Sequence, residues 1–220
     1  MIRIPHWMKR PGRHELAILI ALVLLAGGAW AFMELTDYVM EGDTHALDEN
    51  LLLLMRNPDD LSDPIGPKWV EELGRDYTAL GGMGVLTLLS LSVLGYLFLE
   101  HKKRTALLVI VSVGGGILLS LFLKQGFDRP RPDLVPHESY VYTKSFPSGH
   151  SMMSAVTYLT LAALLARIQK RRRNKIYLMA IAVLLTLAIG ISRIYMGVHW
   201  PSDVLAGWSA GATWALLCWL

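Results

Sequence analysis

Three short clusters hold the residues of this chain best suited to chemistry. In order they are Lys124-Gln-Gly-Phe-Asp-Arg-Pro-Arg131-Pro132, then Pro147-Ser148-Gly149-His150, then Ser192-Arg193 followed by His199 and Asp203. They bring cations, two histidines, a carboxylate and a Ser-Gly turn to the ends of hydrophobic segments. Lys124, Arg131 and Arg193 would neutralise an oxyanion. A helix begun at Ser148 offers unpaired N–H groups in its first turn, and Gly149 lets a phosphate approach the backbone closely. Asp203 follows His199 closely enough to reach an imidazole nitrogen. A carboxylate there fixes the tautomer and leaves the other nitrogen as nucleophile. His150 remains as a separate proton donor. These are the parts phosphoryl transfer uses, because that chemistry rests on positioning and charge stabilisation.

Each cluster alone has a plainer reading. Lys124, Arg129 and Arg131 are cations just beyond a span, where long side chains snorkel to lipid phosphates. Pro130 and Pro132, however, stiffen the backbone around Arg131. Pro147 to His150 alone is a helix start. His199 and Asp203 alone are an interfacial histidine and a capping aspartate, and Trp200-Pro201 interrupts any helix between them. The combination at one membrane surface is what favours a site.

The elements that must position these residues are membrane helices. The chain has 220 residues, suiting a single domain (1–220), and 53% are apolar. Several stretches reach the roughly 18–20 apolar residues that cross a bilayer, and none shows the short alternation of a membrane β-barrel. The fold class expected is all-α, an integral membrane bundle of six transmembrane helices. The spans are Glu15–Met33, Thr78–Leu99, Thr105–Leu123, Ser148–Ile168, Ile176–Ile191 (running on past Arg193) and Ser202–Leu220. Ala29-Trp30-Ala31 resembles a signal-peptidase site, but the first apolar run is long for a signal core and is read as an anchor.

Charge orients the bundle. Arg3, Lys9, Arg10 and Arg13 precede the first span. Lys102, Lys103 and Arg104 separate the second and third, and Arg167, Lys170, Arg171, Arg172, Arg173 and Lys175 mark the turn between the fourth and fifth. With six spans these blocks share one side, the cytoplasm by the positive-inside bias, as do both termini. The opposite side receives the loop 34–77, with twelve acids and three basic residues, and all three clusters (124–203). Leu47, Leu51, Leu52, Leu54 and Met55, then Val70 and Leu73, suggest a short interfacial helix or two in that loop. A packed cap remote from substrate fits equally. The basic blocks read as topology signals rather than a nucleic-acid footprint. Cys218, the only cysteine, makes no disulfide within the chain and no cysteine-based metal site. Gly27-Gly28, Gly81-Gly82-x-Gly84, Gly114-Gly115-Gly116 and Gly207-xxx-Gly211 are close-packing points, the last inside the bundle or in a dimer.

The three clusters resemble the motifs of the type 2 phosphatidic acid phosphatase family, related to vanadium haloperoxidases and bacterial acid phosphatases. Its patterns K-x6-R-P, P-S-G-H and S-R-x5-H-x3-D match at Lys124 and Arg131-Pro132, at Pro147 to His150, and at Ser192-Arg193, His199 and Asp203. The resemblance implies hydrolysis without metal or cofactor. His199 attacks phosphorus and forms a phosphohistidine. Asp203 orients His199. His150 protonates the leaving oxygen and then helps activate water. Lys124, Arg131, Arg193, Ser148 and the Gly149 N–H bind the phosphoryl oxygens.

The partner implied is a membrane lipid, and the place a bacterial inner membrane with the site facing the periplasm or exterior. Undecaprenyl pyrophosphate is the favoured substrate. Phosphatidylglycerol phosphate and phosphatidic acid suit the same chemistry, as does a phosphotransferase using a lipid hydroxyl as acceptor. A non-catalytic lipid-binding or transport protein is the rival class, and a carboxylate-held metal a third. Oligomeric state is left open. His137-Glu138 reads as a solvated loop pair. Tyr140 and Tyr195 are candidates for the site mouth. Trp200, Trp208, Trp214 and Trp219 read as interfacial or packing residues. His6, His14, His45 and His101 receive no chemistry.

Overall fold

The computed structural model describes residues 13–137 and 143–220. The block Arg3, Lys9 and Arg10, together with His6, Glu138 and Tyr140, lies outside them. The described chain is mostly helical: α1 (Arg13–Glu41), α2 (His45–Leu53), α3 (Lys68–Leu80), α4 (Met83–Leu99), α5 (Lys103–Val109), α6 (Gly115–Gly126), α7 (Gly149–Ile168), α8 (Arg172–Tyr195) and α9 (Pro201–Trp219). One π-turn, Ile110–Gly114, joins α5 to α6. A small antiparallel hairpin, β1 (Arg56–Asn57) and β2 (Asp60–Pro64), sits between α2 and α3.

Among the described residues, four helical stretches are long and apolar enough to cross a membrane: Glu15–Glu41, Lys103–Gly126, Gly149–Ile168 and Arg172–Tyr195. The pair α3 and α4, bent by 48° at its break, makes a fifth if taken as one span. The helix α9, expected as a sixth, is not among them. The first helix also runs past Met33 to Glu41. Its last turns carry acids, which end the apolar run but not the helix.

The central helix is α7, which packs against α8 and α9, while α1 lies against α9. Small residues make these contacts close. A Cβ on Gly207 would fall 2.6 Å from the Ser148 carbonyl, and one on Gly211 would press into the backbone of Met152. This pair therefore packs inside the bundle. An apolar cluster joins Leu86, Val109, Val113, Met153 and Val156 from α4, α5, the π-turn and α7. Trp208 and Trp214 are packing residues. Trp208 lies on Gly190 and donates to Thr186 O at 3.0 Å, and Trp214 lies on Gly115 and donates to Ser112 O at 2.8 Å.

The loop expected to hold a short helix or two contains α2, the hairpin and the first part of α3. In α2, Asp48 and Leu52 are buried, while Leu47, Leu51 and, just past its end, Leu54 face outward. The hairpin is pinned by Arg56, whose Nη2 donates to Tyr195 O at 2.8 Å. That contact needs Gly197, at φ +69°, because a Cβ there would lie 2.8 Å from the same Nη2. Tyr195 is accordingly a tether, its hydroxyl donating to Ile65 O at 2.9 Å.

Candidate active site

Helix ends place six of the eight sequence-predicted site residues, while Arg131 and His199 lie in the loops after α6 and α8. Ser148 is the N-cap of α7: its Oγ accepts from Ser151 N at 3.4 Å and from Ser151 Oγ at 2.9 Å. The hydroxyl is thus engaged in starting the helix that carries Gly149 and His150. Gly149 faces Lys124 at the end of α6, a Cβ there lying 3.4 Å from Lys124 Cε. Lys124 Nζ donates to Lys144 O at 2.8 Å. At α9, Pro201 occupies the first turn and Asp203 accepts from Trp200 N at 3.0 Å, so the carboxylate caps the helix that carries it.

Asp203 is fully buried and multiply bonded. Its Oδ2 accepts from Ser145 Oγ at 2.5 Å and lies 3.4 Å from His199 Nδ1. Its Oδ1 accepts from Arg129 Nη1 at 2.7 Å. Across the imidazole, His199 Nε2 lies 3.1 Å from Arg131 Nη1. A guanidinium only donates, so Nε2 is the acceptor and Nδ1 carries the proton toward Asp203 and Ser145. That tautomer, assigned by the network, leaves the Nε2 lone pair directed at a cation.

Burial holds His199 well below the usual histidine range, to about 3; Asp203 opposes the shift and the guanidiniums of Arg131 and Arg193 add to it. The imidazole is therefore neutral at physiological pH. Arg131 is also held below its ordinary value, by burial first, with Asp203 opposing. It donates through Nη1 to Val198 O at 2.5 Å and through Nε to Thr143 O at 2.9 Å, which fixes the direction Pro130 and Pro132 suggest.

Arg193 is buried on α8, with Nη1 3.4 Å from Thr78 Oγ1 and, among the described residues, no partner for Nε. His150 stands against the α3–α4 break, where a Cβ on Gly81 would lie 3.4 Å from its Cδ2. Tyr158 donates to Leu80 O at 2.8 Å in the same break. Lys124 lies within electrostatic reach of Arg131, Asp203 and Arg193, and His150 within reach of Arg193, His199, Lys124 and Arg131. All eight predicted residues thus belong to one neighbourhood. A cavity of about 650 Å³ opens beside it, lined by polar Lys124, Arg131, Thr143 and Lys144 and by apolar Leu121 and Phe127 among others. The Lys144 ammonium pairs with Asp128 at this mouth.

Four contributors escape spacing arguments. Asp48 of α2 accepts from Arg129 Nη2 at 2.7 Å, from Ser202 N at 2.8 Å and from Ser202 Oγ at 2.6 Å. Arg129 thereby joins Asp48 to Asp203, with its guanidinium 5.7 Å from the Trp200 ring centroid. Ser145 supports Asp203, and Thr78 contacts both Arg193 and Ser192 Oγ, the latter at 2.7 Å. Asp48 looks like any acid of an acid-rich loop. Arg129 is visible inside its cluster but has no distinguishing role there. His137, expected in a solvated pair, bonds Pro132 O through Nε2 at 2.6 Å.

Comparison with known proteins shows the family of the chain. The PAP2 superfamily profile matches residues 105–220, and the chain belongs to that superfamily. It is a multi-pass membrane lipid phosphatase. Phosphatidylglycerophosphatase B of Bacillus subtilis is 36% identical over 65% of this chain and 70% of its own length. Lipid A 1-phosphatase of Rhizobium etli is 30% identical over 70% of this chain and 74% of its own. The crystal structure of a transmembrane PAP2-type phosphatidylglycerolphosphate phosphatase from Bacillus subtilis superposes with a TM-score of 0.76 at 29% identity. The match covers 88% of this chain and 93% of that one.

Proposed function

We propose that the chain hydrolyses a lipid phosphate in two displacements at His199. Nε2 attacks phosphorus, the bond from phosphorus to the lipid oxygen breaks, and His150 gives its proton to that oxygen. Water then attacks the phosphohistidine, giving a proton back to His150, and inorganic phosphate leaves. Asp203 holds the tautomer and balances the charge on His199. Lys124, Arg131, Arg193 and the Gly149 N–H hold the phosphoryl oxygens, with Ser148 setting the α7 terminus at which they meet. The observation that carries this reading is the polarity of His199, with Nδ1 toward Asp203 and Nε2 toward Arg131. A metal-free route is supported by the cations gathered at the site, with Lys124 within electrostatic reach of Arg131 and Arg193.

The substrate proposed is phosphatidylglycerol phosphate, on the strength of the Bacillus relatives in sequence and structure. Undecaprenyl pyrophosphate is the second reading. A relative from Sulfolobus acidocaldarius, 24% identical over 53% of this chain, is named undecaprenyl-diphosphatase. In the proposed topology α3 and α4 form one broken span and α9 completes six. The site then faces the exterior of a bacterial inner membrane, with both termini in the cytoplasm. Substrate enters sideways through the mouth that pairs Leu121 and Phe127 with cations.

The test is phosphate release by purified protein in detergent with chelator present. It compares phosphatidylglycerol phosphate, undecaprenyl pyrophosphate and phosphatidic acid, with His199→Ala as control. Release that resists chelator and vanishes in His199→Ala supports the reading, and the ranking names the substrate. No release from folded protein would overturn hydrolysis in favour of a lipid acceptor or of transport.

A further inference from the structure

The end of the bundle away from the candidate site holds a second cavity. Its volume is about 490 Å³, inside the roughly 300–1,000 Å³ of typical ligand pockets. Its walls come from α5, α7, α8 and α9 and are apolar, with Leu108, Leu159, Ala163, Met179, Ala215 and Leu216 among them. Two cations, Arg167 in the last turn of α7 and Lys175 in the first turn of α8, also line it. The Arg167 guanidinium is held 5.6 Å from the ring centroid of Trp219. From Gly149 to Arg167, α7 rises about 27 Å at roughly 1.5 Å per residue, close to the ~30 Å hydrocarbon core. The cations and the phosphatase site therefore lie near opposite surfaces of the membrane.

We propose that this cavity binds an anionic phospholipid of the surrounding membrane, with the headgroup phosphate at Arg167 and Lys175 and an acyl chain along the apolar wall. Three features lead to it. Small side chains such as Ala163 and Ala215 leave a gap between helices instead of closing it, and at bilayer depth an apolar gap suits a lipid chain. The cations at its rim belong to the segment 167–175, which carries six basic residues and no acid. Among the described residues no salt bridge neutralises Arg167 or Lys175. A basic pocket between membrane helices is the arrangement that captures acidic headgroups. Finally, Arg167 is stacked over Trp219 beside the cavity, which fixes a bidentate donor in place rather than leaving it to snorkel into water.

The test is native mass spectrometry of the full chain released from detergent, titrated with phosphatidylglycerol and with phosphatidylcholine of matched acyl chains. One phosphatidylglycerol per chain is expected to be retained at least tenfold more strongly than phosphatidylcholine. Arg167→Ala/Lys175→Ala lowers that retention at least tenfold. Ala163→Phe, which fills the cavity and leaves both cations, lowers it as well. Lys124→Ala/Arg131→Ala, which weakens the phosphatase site, leaves it unchanged. Equal retention of the two lipids overturns the proposal, as does retention unaffected by Arg167→Ala/Lys175→Ala or lost in Lys124→Ala/Arg131→Ala. Thermal unfolding in detergent establishes that each variant is folded. If the Arg167/Lys175 variant is not, Ala163→Phe decides, and undiminished retention there overturns the assignment. Hydrolysis does not enter the readout, so this proposal and the phosphatase mechanism can fail separately.

Discussion

Arg129 donates to Asp203 at 2.7 Å through the carboxylate oxygen that His199, Ser145 and Trp200 do not use. Its second nitrogen reaches Asp48 at the same distance. One guanidinium thus links the carboxylate behind the proposed nucleophile to a short helix outside the bundle, and Asp48 in turn holds the first turn of α9 through Ser202. Arg129 and Asp48 act as positioning residues.

Arg129→Ala leaves two buried carboxylates without their cation, so unfolding becomes easier by about 3–5 kcal/mol. Asp48→Asn keeps the shape and one acceptor but loses the charge. It is expected to lower kcat about tenfold or more with KM nearly unchanged, since the phosphate-binding cations stay in place. Steady-state kinetics beside denaturant unfolding separates the two effects. Equal loss in kcat and KM would point to a general loss of packing.

Ser145→Ala removes the 2.5 Å bond to Asp203. A hydrogen bond to a charged group is worth roughly 1.5–3 kcal/mol, so kcat/KM falls about 10- to 100-fold. Asp203→Asn should cost more, about 10⁴ in kcat, if the wrong imidazole tautomer acts here as it does in serine-protease triads. The same assay ranks them.

Low basicity of His199 sets a pH signature. Burial holds its pKa at about 3, so acidification from pH 8 to 5 leaves the ring neutral and nucleophilic. Nitrogen NMR of histidine-labelled protein, with His199→Gln to assign the signal, should show no ring titration in that range. A midpoint near 6.5 would contradict the burial and the charge environment described.

Gly211→Val drives a side chain into the Met152 backbone. Overpacking of this kind costs about 1–3 kcal/mol, and the shift carries the α7 terminus with it. Both thermal stability and kcat/KM should drop, whereas Gly84→Ala, which meets nothing within 4 Å, should leave both near wild type.

The three polar clusters were legible because cations and histidines at the ends of apolar segments are costly and stand out. The helix α7 was legible to within a residue, since Pro147 and Ser148 mark its start. Asp48 was not, because nothing local separates a buried acid from its solvated neighbours in 34–77; only the tertiary approach of Arg129 and Ser202 does. The break at Gly81-Gly82 was visible as small residues but not as a bend. Its reason is three-dimensional: Thr78, Leu80 and Gly81 there meet Arg193, Tyr158 and His150. The length of α1 was underestimated because hydropathy marks where an apolar run ends, while helices continue through acids.

The most direct test is to trap the covalent intermediate. Protein mixed with phosphatidylglycerol phosphate, or with undecaprenyl pyrophosphate if that is the faster substrate, is quenched in alkali within one turnover, digested and sequenced by mass spectrometry. The account predicts one added HPO3 on His199, absent from His199→Ala. Rapid turnover with no modified His199, or modification at another residue, would contradict it.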